Sequence, residues 1–446
     1  MLFRSLRGQC NTQRRAVFLN GTLTANVSNS SVGLSARVVK NGAYGFASSA
    51  GYAPETIAAV VEAASENARF LDAREHLNRA RFAPVSPFTR RDDLDCEDHT
   101  PQKYFIAFLQ ELDAYIEAHC PNLTSRMVGV NCLQTEKLLC TSDGVLSHVI
   151  TPKSAVMLNM TAEGADGTPV ELYQPVSCFG AFETNFRNPS DLFEQISDLY
   201  ERVMEKRDGV YAEAGCKSVI LHPDLAGILA HEAVGHTVEA DFVRSGSVAG
   251  PCFGKRVASD LVTLIDFANT AFGKRCPVPV YVDDEGTPAK DAVLIQNGIL
   301  TGYMHNKESA AYFGHEPLGN ARAFAFSDEP LIRMRNTCIL PGKDKLEDMI
   351  ASIDDGYYFT KTGNGQADAT GEFMFGVNMG YEIKHGKLGR ALRDTTISGV
   401  AFDMLQTVDM LSEDLSWSMG MCGKKQLMSV GMGGPAVKAR VNVGGR

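Results

Sequence analysis

The sequence has no apolar run long enough to cross a bilayer as a helix, no Cys-x-x-Cys pair and no excess of positive charge. Each absence removes a class of function. The 43 Lys and Arg against 53 Asp and Glu leave a net charge of −10, which argues against general binding to nucleic acid or anionic membranes. Eleven cysteines, an odd number without paired spacing, fit thiols in a reducing compartment better than a disulfide framework. The first fifteen residues are basic at Arg4, Arg7, Arg14 and Arg15, yet no apolar signal core follows, and AVFLNGTLTANVS alternates as strand does. Internal repeats and low-complexity segments are also missing. The expectation is a soluble, cytoplasmic protein.

What is present is enough for two globular domains: 446 residues, 44% hydrophobic and 22% charged. RRAVFLNG, TLTANVS, GLSARVVKNG and AYGFASS read as short strands, with turns at Asn20-Gly21 and Asn41-Gly42. Pro54-Glu55 starts a helix with Ile57, Val60, Val61 and Ala64 on one face. A second helix follows Thr100-Pro101, striped by Phe105, Phe108, Leu109, Leu112 and Ile116. Strands return at SRMVGVNC, KLLCTSDG, SHVITPKSAVMLNMTAEG and VELYQPVS, and a helix runs from Ser190 to about Lys206. The texture changes after Arg207-Asp208-Gly209, so the expected domains are 1–209 and 210–446. Beyond that point CKSVILHP reads as strand, YVDDEGTP as a strand running into a turn and AVLIQNGILTGYM as a hairpin, and the last fifty residues hold too many glycines for helix.

The most informative stretch is His231-Glu232-Ala233-Val234-Gly235-His236. Two imidazoles can hold a metal ion, and a carboxylate between them can act on water. This spacing is one residue longer than the H-E-x-x-H zinc-hydrolase helix. An i,i+4 pair sits roughly 40° apart around a regular helix, whereas an i,i+5 pair sits roughly 140° apart. Both histidines can meet one ion only if the helix is distorted, by a bulge or an early end. Gly235 is the expected place, since glycine weakens regular helix and permits unusual dihedrals. The preceding LAGILA reads as a buried element, so the motif extends from the interior.

A catalytic zinc usually has three protein ligands and a water. Glu239, three residues past His236, could share its face. Cys422 in SMGMCGKKQ is flanked by glycine and lysine, a setting that favours thiolate. From the residues alone both stay open. His305 and His315 read as polar surface or substrate-facing groups. Phe324 and Phe326 read as strand residues facing a core more readily than as a channel lining. Asp283-Asp284-Glu285-Gly286 lacks EF-hand spacing and reads as a solvated turn.

Taken together, HEAVGHTVEADFV, GKRVASDLVTLID, YVDDEGTPAKDAVLIQNGILTGYM, LGNARAFAFSDEPLIRMRNTCILPG, GQADATGEFMF and MCGKKQ…VGMGGPAVK resemble the TldD/PmbA (TldD/TldE) metallopeptidases over most of the chain. The histidine motif makes the resemblance one to the catalytic TldD-type subunit. It implies an α+β fold: an N-terminal α/β domain with helices packed on a sheet, and a C-terminal β-rich, barrel-like domain carrying the motif helix. It implies Zn2+ held by His231, His236 and Cys422, with Glu232 as general base on zinc-bound water. It implies extended or unfolded peptides as substrates, and a homodimer or a heterodimer with a TldE/PmbA-like paralogue. Members of the family usually begin with a helix, whereas this chain starts almost at strand level, so its N-terminal basic residues are expected to be ordinary strand and turn charges. For the oxyanion the candidates are the zinc, His305, Arg322 or backbone amides. The competing reading is a non-catalytic, metal-containing scaffold or peptide-binding subunit, which would have no use for Glu232.

Overall fold

The structure, a computed structural model, describes residues 3–75, 82 and 85–445. Strand outweighs helix, at 46% against 25%, and it is gathered mainly into a seven-stranded N-terminal sheet and, in the C-terminal part, one of six strands and one of seven. The N-terminal sheet runs in the order Ala43–Ala50, Thr22–Lys40, Phe3–Leu19, Leu123–Thr141, Val145–Glu163. Phe88–Asp92 and Pro169–Phe179 share the far side of that last strand.

The Asn-Gly turns form as expected. Asn20 and Gly21 have φ of 49° and 78°, and Asn41 and Gly42 have 51° and 88°, the left-handed pairs that two-residue hairpins require. The strands between them are much longer than the sequence suggests. Thr22–Lys40 is a single strand of 19 residues, not two short ones, and Leu123–Thr141 likewise absorbs two expected strands. The polar stretch of 22–31 looks like a break but faces solvent, while its backbone stays paired to Phe3–Leu19.

Helix Pro54–Glu75 packs Val60, Ala64 and Ala68 on Leu34, Ala36 and Val38. It sits so close that a Cβ on Gly45 would lie 2.0 Å from the Ala64 carbonyl oxygen. Helix Gln102–His119 buries the whole expected stripe against Val128, Val130 and Leu158, each such side chain stabilising by roughly 1.5–3 kcal/mol. The helix expected from Ser190 opens instead as a 3-10 turn, Pro189–Leu192, before the α-helix Phe193–Arg207.

In the C-terminal part five strands close a barrel: Gly215–Leu221, Asp355–Ala367, Glu372–Lys384, Thr395–Val400 and Val437–Val443. Closure comes from Asp355–Ala367, which pairs both with Gly215–Leu221 and with Glu372–Lys384. Beside it a six-stranded sheet ends in Ser416–Lys424, which pairs on one side only, with Gln426–Gly434, among the described residues. No helix among them is long and apolar enough to cross a membrane.

Four expectations fail here. The segment 281–288 is not a strand; it makes one isolated bridge, Val282 to Pro288, and its acidic turn is buried, with Asp283 3%, Asp284 7% and Glu285 1% exposed. Cations from the N-terminal sheet cover it. Arg37 pairs with Glu285, and Lys137 Nζ lies 2.7 Å from Asp284, with Arg7 3.6 Å away. Arg7 is therefore a buried partner rather than a surface charge. Phe324 and Phe326 belong to a half-buried loop, whose Phe324 carbonyl accepts hydrogen bonds from Gln9 and Asn11.

Candidate metal centre

Strand Gly215–Leu221 leads into helix Pro223–Leu229, where Pro223 takes the first helical position and the His222 side chain caps the backbone N–H of Asp224. Leu225, Ala226 and Leu229 bury this helix in the barrel core, as LAGILA implies. From there the chain loosens. Ala230–Gly235 is one π-helical turn, followed by a 3-10 turn, His236–Val238, and extended backbone at Glu239. A π turn closes i to i+5, which brings residues at that spacing onto one face. The rings of His231 and His236 accordingly lie 5.4 Å apart, crossed at 78°. The distortion demanded by the spacing is present.

Its cause differs from the expected one. Gly235 has φ −54° and ψ −48°, ordinary right-handed values open to any residue. Space is what excludes a side chain there, since a Cβ would lie 2.0 Å from Met334 Sδ.

Cys422 arrives from the edge strand Ser416–Lys424, with Sγ 3.2 Å from His236 Nε2. Arg333 fixes that end of the hairpin by donating to the carbonyls of Cys422 and Gln426, both at 2.8 Å. Glu232 stands 3.5 Å from His236 Nε2 and 3.9 Å from His231 Nε2. One ligand atom from each of His231, Glu232, His236 and Cys422 lies within 4.8 Å of all the others. Both ring nitrogens of His231 are buried without a hydrogen-bond partner. A buried imidazole is seldom left so, and an unpaired ring nitrogen beside a thiol and a second imidazole fits a metal that accepts nitrogen and sulfur donors.

Glu239 does not join the four. It is fully buried on the other side of His236, accepting from Nδ1 at 2.9 Å, with Lys424 Nζ 3.1 Å away. That bond turns Nε2 toward Cys422, the usual arrangement for a metal-binding histidine. Lys424, which by sequence flanks the thiol, instead contacts Glu239, Asp241 and the Ile332 carbonyl. Sequence reasoning missed this positioning role, although Glu239 at i+3 from His236 was the available signal.

Burial would lower the His236 pKa, but hydrogen bonds to Cys422 and Glu239 outweigh it and raise the group to about 10 in the metal-free chain. His231 moves the other way, held well below its ordinary value by burial and then by the charges of His236, Arg333 and Arg322. Burial raises Glu232, against the pull of His236. Burial also acts to raise Glu239, but its bond to His236 and the charge of Lys424 win and keep it low.

The remaining candidates are not among the four, although the charge of Arg322 acts on His231. His305 is buried, not on the surface, and bonds to Ser309 and to His315, which is exposed. Arg322 is also buried, its guanidinium donating to the carbonyls of Met334 and Ser429.

A converging imidazole pair, thiol and carboxylate define a site of the metal-binding class. Residues 214–445 match the PmbA/TldA metallopeptidase C-terminal domain, and residues 7–68 match PmbA/TldA metallopeptidase domain 1. The chain belongs to this metallopeptidase family. It is 40% identical over 240 residues to the metalloprotease TldD homologue of Buchnera aphidicola from Acyrthosiphon pisum, covering 52% of this chain and 49% of that one. It is 35% identical over 257 residues to the zinc metalloprotease TldD homologue of Saccharolobus solfataricus, covering 57% of each. The chain thus spans about half the length of these curated relatives. TldE from Thermococcus kodakarensis shares the fold, with a TM-score of 0.78 at 18% identity over 99% of this chain and 97% of that one.

Proposed function

We propose that the chain is a zinc-dependent, TldD-type peptidase acting on small or unfolded peptides, with His231, His236 and Cys422 as metal ligands and Glu232 as general base. The observation that carries this reading is the convergence of those four side chains within 4.8 Å, around a π turn that aligns an i,i+5 histidine pair. Two imidazoles and a thiol make a three-ligand set with room for a fourth, catalytic position. Zinc, when bound, polarises a scissile carbonyl and makes water more acidic. Glu232 takes the proton of the attacking water and hands it to the departing amide nitrogen. Its raised pKa suits both halves of that exchange, and its side chain is still 26% exposed, open to substrate. Glu239 holds His236 in the orientation this needs.

Strand Ser416–Lys424 carries Cys422 at the edge of its sheet. An extended peptide pairing along such an edge would be bound through its backbone, which explains tolerance of many sequences. The family membership and the TldE-like fold support assembly with a TldE/PmbA-like paralogue or as a homodimer. We also place the protein in the cytoplasm and divide it into domains 1–209 and 210–446.

Metal content per chain, measured on the purified protein and on Cys422→Ala, tests the ligand set. Near-stoichiometric zinc that falls sharply in the variant supports it, and zinc fully retained removes Cys422. Cleavage of a peptide mixture by wild type but not by Glu232→Gln supports the enzyme; equal cleavage by both would leave the scaffold reading, with activity belonging to a partner.

A further inference from the structure

A cavity of about 80 Å³ lies between the N-terminal sheet and the C-terminal part, with Lys137, Lys153, Ser147, Asp284, Arg322 and Ser429 in its walls. One water takes about 30 Å³ of the liquid, so there is space for a small polyatomic group. The charges around it do not balance. Asp284 accepts from Lys137 Nζ at 2.7 and 3.0 Å and from the Ala323 N–H at 2.7 Å, with Arg7 3.6 Å away. Asp283 accepts the backbone N–H groups of Glu285, Thr287 and Ala321. Arg322 meets only neutral carbonyls. Asp92, also in the wall, pairs with Arg90 at 2.7 Å, so three carboxylates, all engaged, stand against Arg7, Arg90, Lys137, Lys153 and Arg322.

Lys153 is the group left over. Its ammonium has no hydrogen-bond or ion-pair partner among the described residues, and the charges acting on it, Arg322 and Lys137, both repel it. Burial and that repulsion hold its pKa well below the ordinary value. A half-buried ammonium in such company either gives up its proton or gains an anion. Arg322 cannot take the first course, so the wall stays cationic in either case.

The geometry points to an internal oxyanion site in this cavity, in which Lys153, Lys137 and Arg322 bind one carboxylate or phosphate group. Lys153 belongs to the N-terminal strand Val145–Glu163 and Arg322 to the C-terminal part, so the bound anion ties the two together. The site does not depend on the peptidase reading, since none of its groups is among the four residues of the centre, although the charge of Arg322 also reaches His231.

Thermal unfolding in a buffer free of phosphate and carboxylates tests it. Inorganic phosphate and acetate are titrated separately, with sodium chloride as the ionic-strength control. Binding to the folded state alone gives a rise in Tm that grows with the logarithm of anion concentration and reaches about 2 °C or more with at least one of the two anions, with none from chloride. The anion that acts at lower concentration identifies the ligand chemistry. Lys153→Met, with Lys153→Gln as a second variant, weakens the effect at least tenfold. In anion-free buffer the Met variant melts at or above wild type, because an uncompensated cation has gone. Absence of a rise beyond that of chloride with either anion overturns the proposal, as does an equal rise at equal concentration in both variants.

Discussion

Two of the clusters of ionisable groups that the chain buries are built in opposite ways. At Asp283–Glu285 the carboxylates are answered from within the chain, by Arg7, Arg37, Lys137 and backbone N–H groups. At His231–Glu232–His236–Cys422 the ligand atoms face one another across a small gap, and one imidazole has both nitrogens unanswered. Burying a polar group without a partner is costly. A cluster that answers itself holds structure together, and one that does not is arranged for something outside the chain. The acidic turn reads in sequence as a solvated one, but its burial and bonding assign it to the fold.

The sharpest way to break this comparison is to change one carboxylate on each side. Glu232→Gln should lower peptide cleavage by about 10²–10⁴-fold with metal content and unfolding midpoint close to wild type. Steady-state kinetics with elemental analysis of the same sample checks it, and cleavage within threefold of wild type would remove Glu232 from the chemistry. Asp284→Ala should do the reverse, costing about 3–5 kcal/mol in denaturant unfolding because Arg7 and Lys137 lose their shared carboxylate in a dry setting. A change below about 1 kcal/mol would mean that water reaches the pair.

Glu239→Gln sharpens the boundary of the centre. The amide can still bond to His236 but no longer carries charge, and Lys424 loses one of its two carboxylates. Zinc affinity should fall about 10–100-fold, as for other groups that orient a metal-binding histidine. Competition with a chromogenic chelator measures it. An unchanged affinity would show that packing alone orients the ring.

The same comparison explains what was legible in the sequence. The Asn-Gly hairpins, the stripe of Gln102–His119 and the irregularity of HEAVGH all arise within a few residues, where spacing dictates geometry. Glu285 meets Arg37 across 248 residues of chain, and Asp284 meets Lys137 across 147. Nothing local marks such partners, so a buried acidic turn and a solvated one look alike. The long strands were obscured for a related reason. Residues 22–31 are polar because one side of the ladder is wet, and hydrogen bonding to a distant strand leaves no trace in hydropathy. Gly235 was placed correctly but for the wrong reason, since the atom that excludes a side chain belongs to Met334.

Satisfied geometry does not make every member of the self-contained cluster comfortable, and pH exposes the difference. Lys137 sits 2.7 Å from Asp284, yet burial, reinforced by Arg7 and Arg322, pulls its pKa down to about 8. Between that value and its ordinary one, about 10.4, the unfolded chain keeps a proton that the folded chain releases. The unfolded state then binds more protons, so this lysine makes the fold more stable as pH rises through that window, by up to ~1.4 kcal/mol per pH unit. Lys137→Met should remove that contribution, and the difference between wild-type and variant stability from pH 8 to 10.5 isolates it from other groups titrating there. A flat difference would mean that Lys137 keeps its charge throughout, and that Asp284 offsets the crowding of cations around it. A rising one would place the junction partway toward the condition of Lys153, where cations outnumber the carboxylates able to answer them.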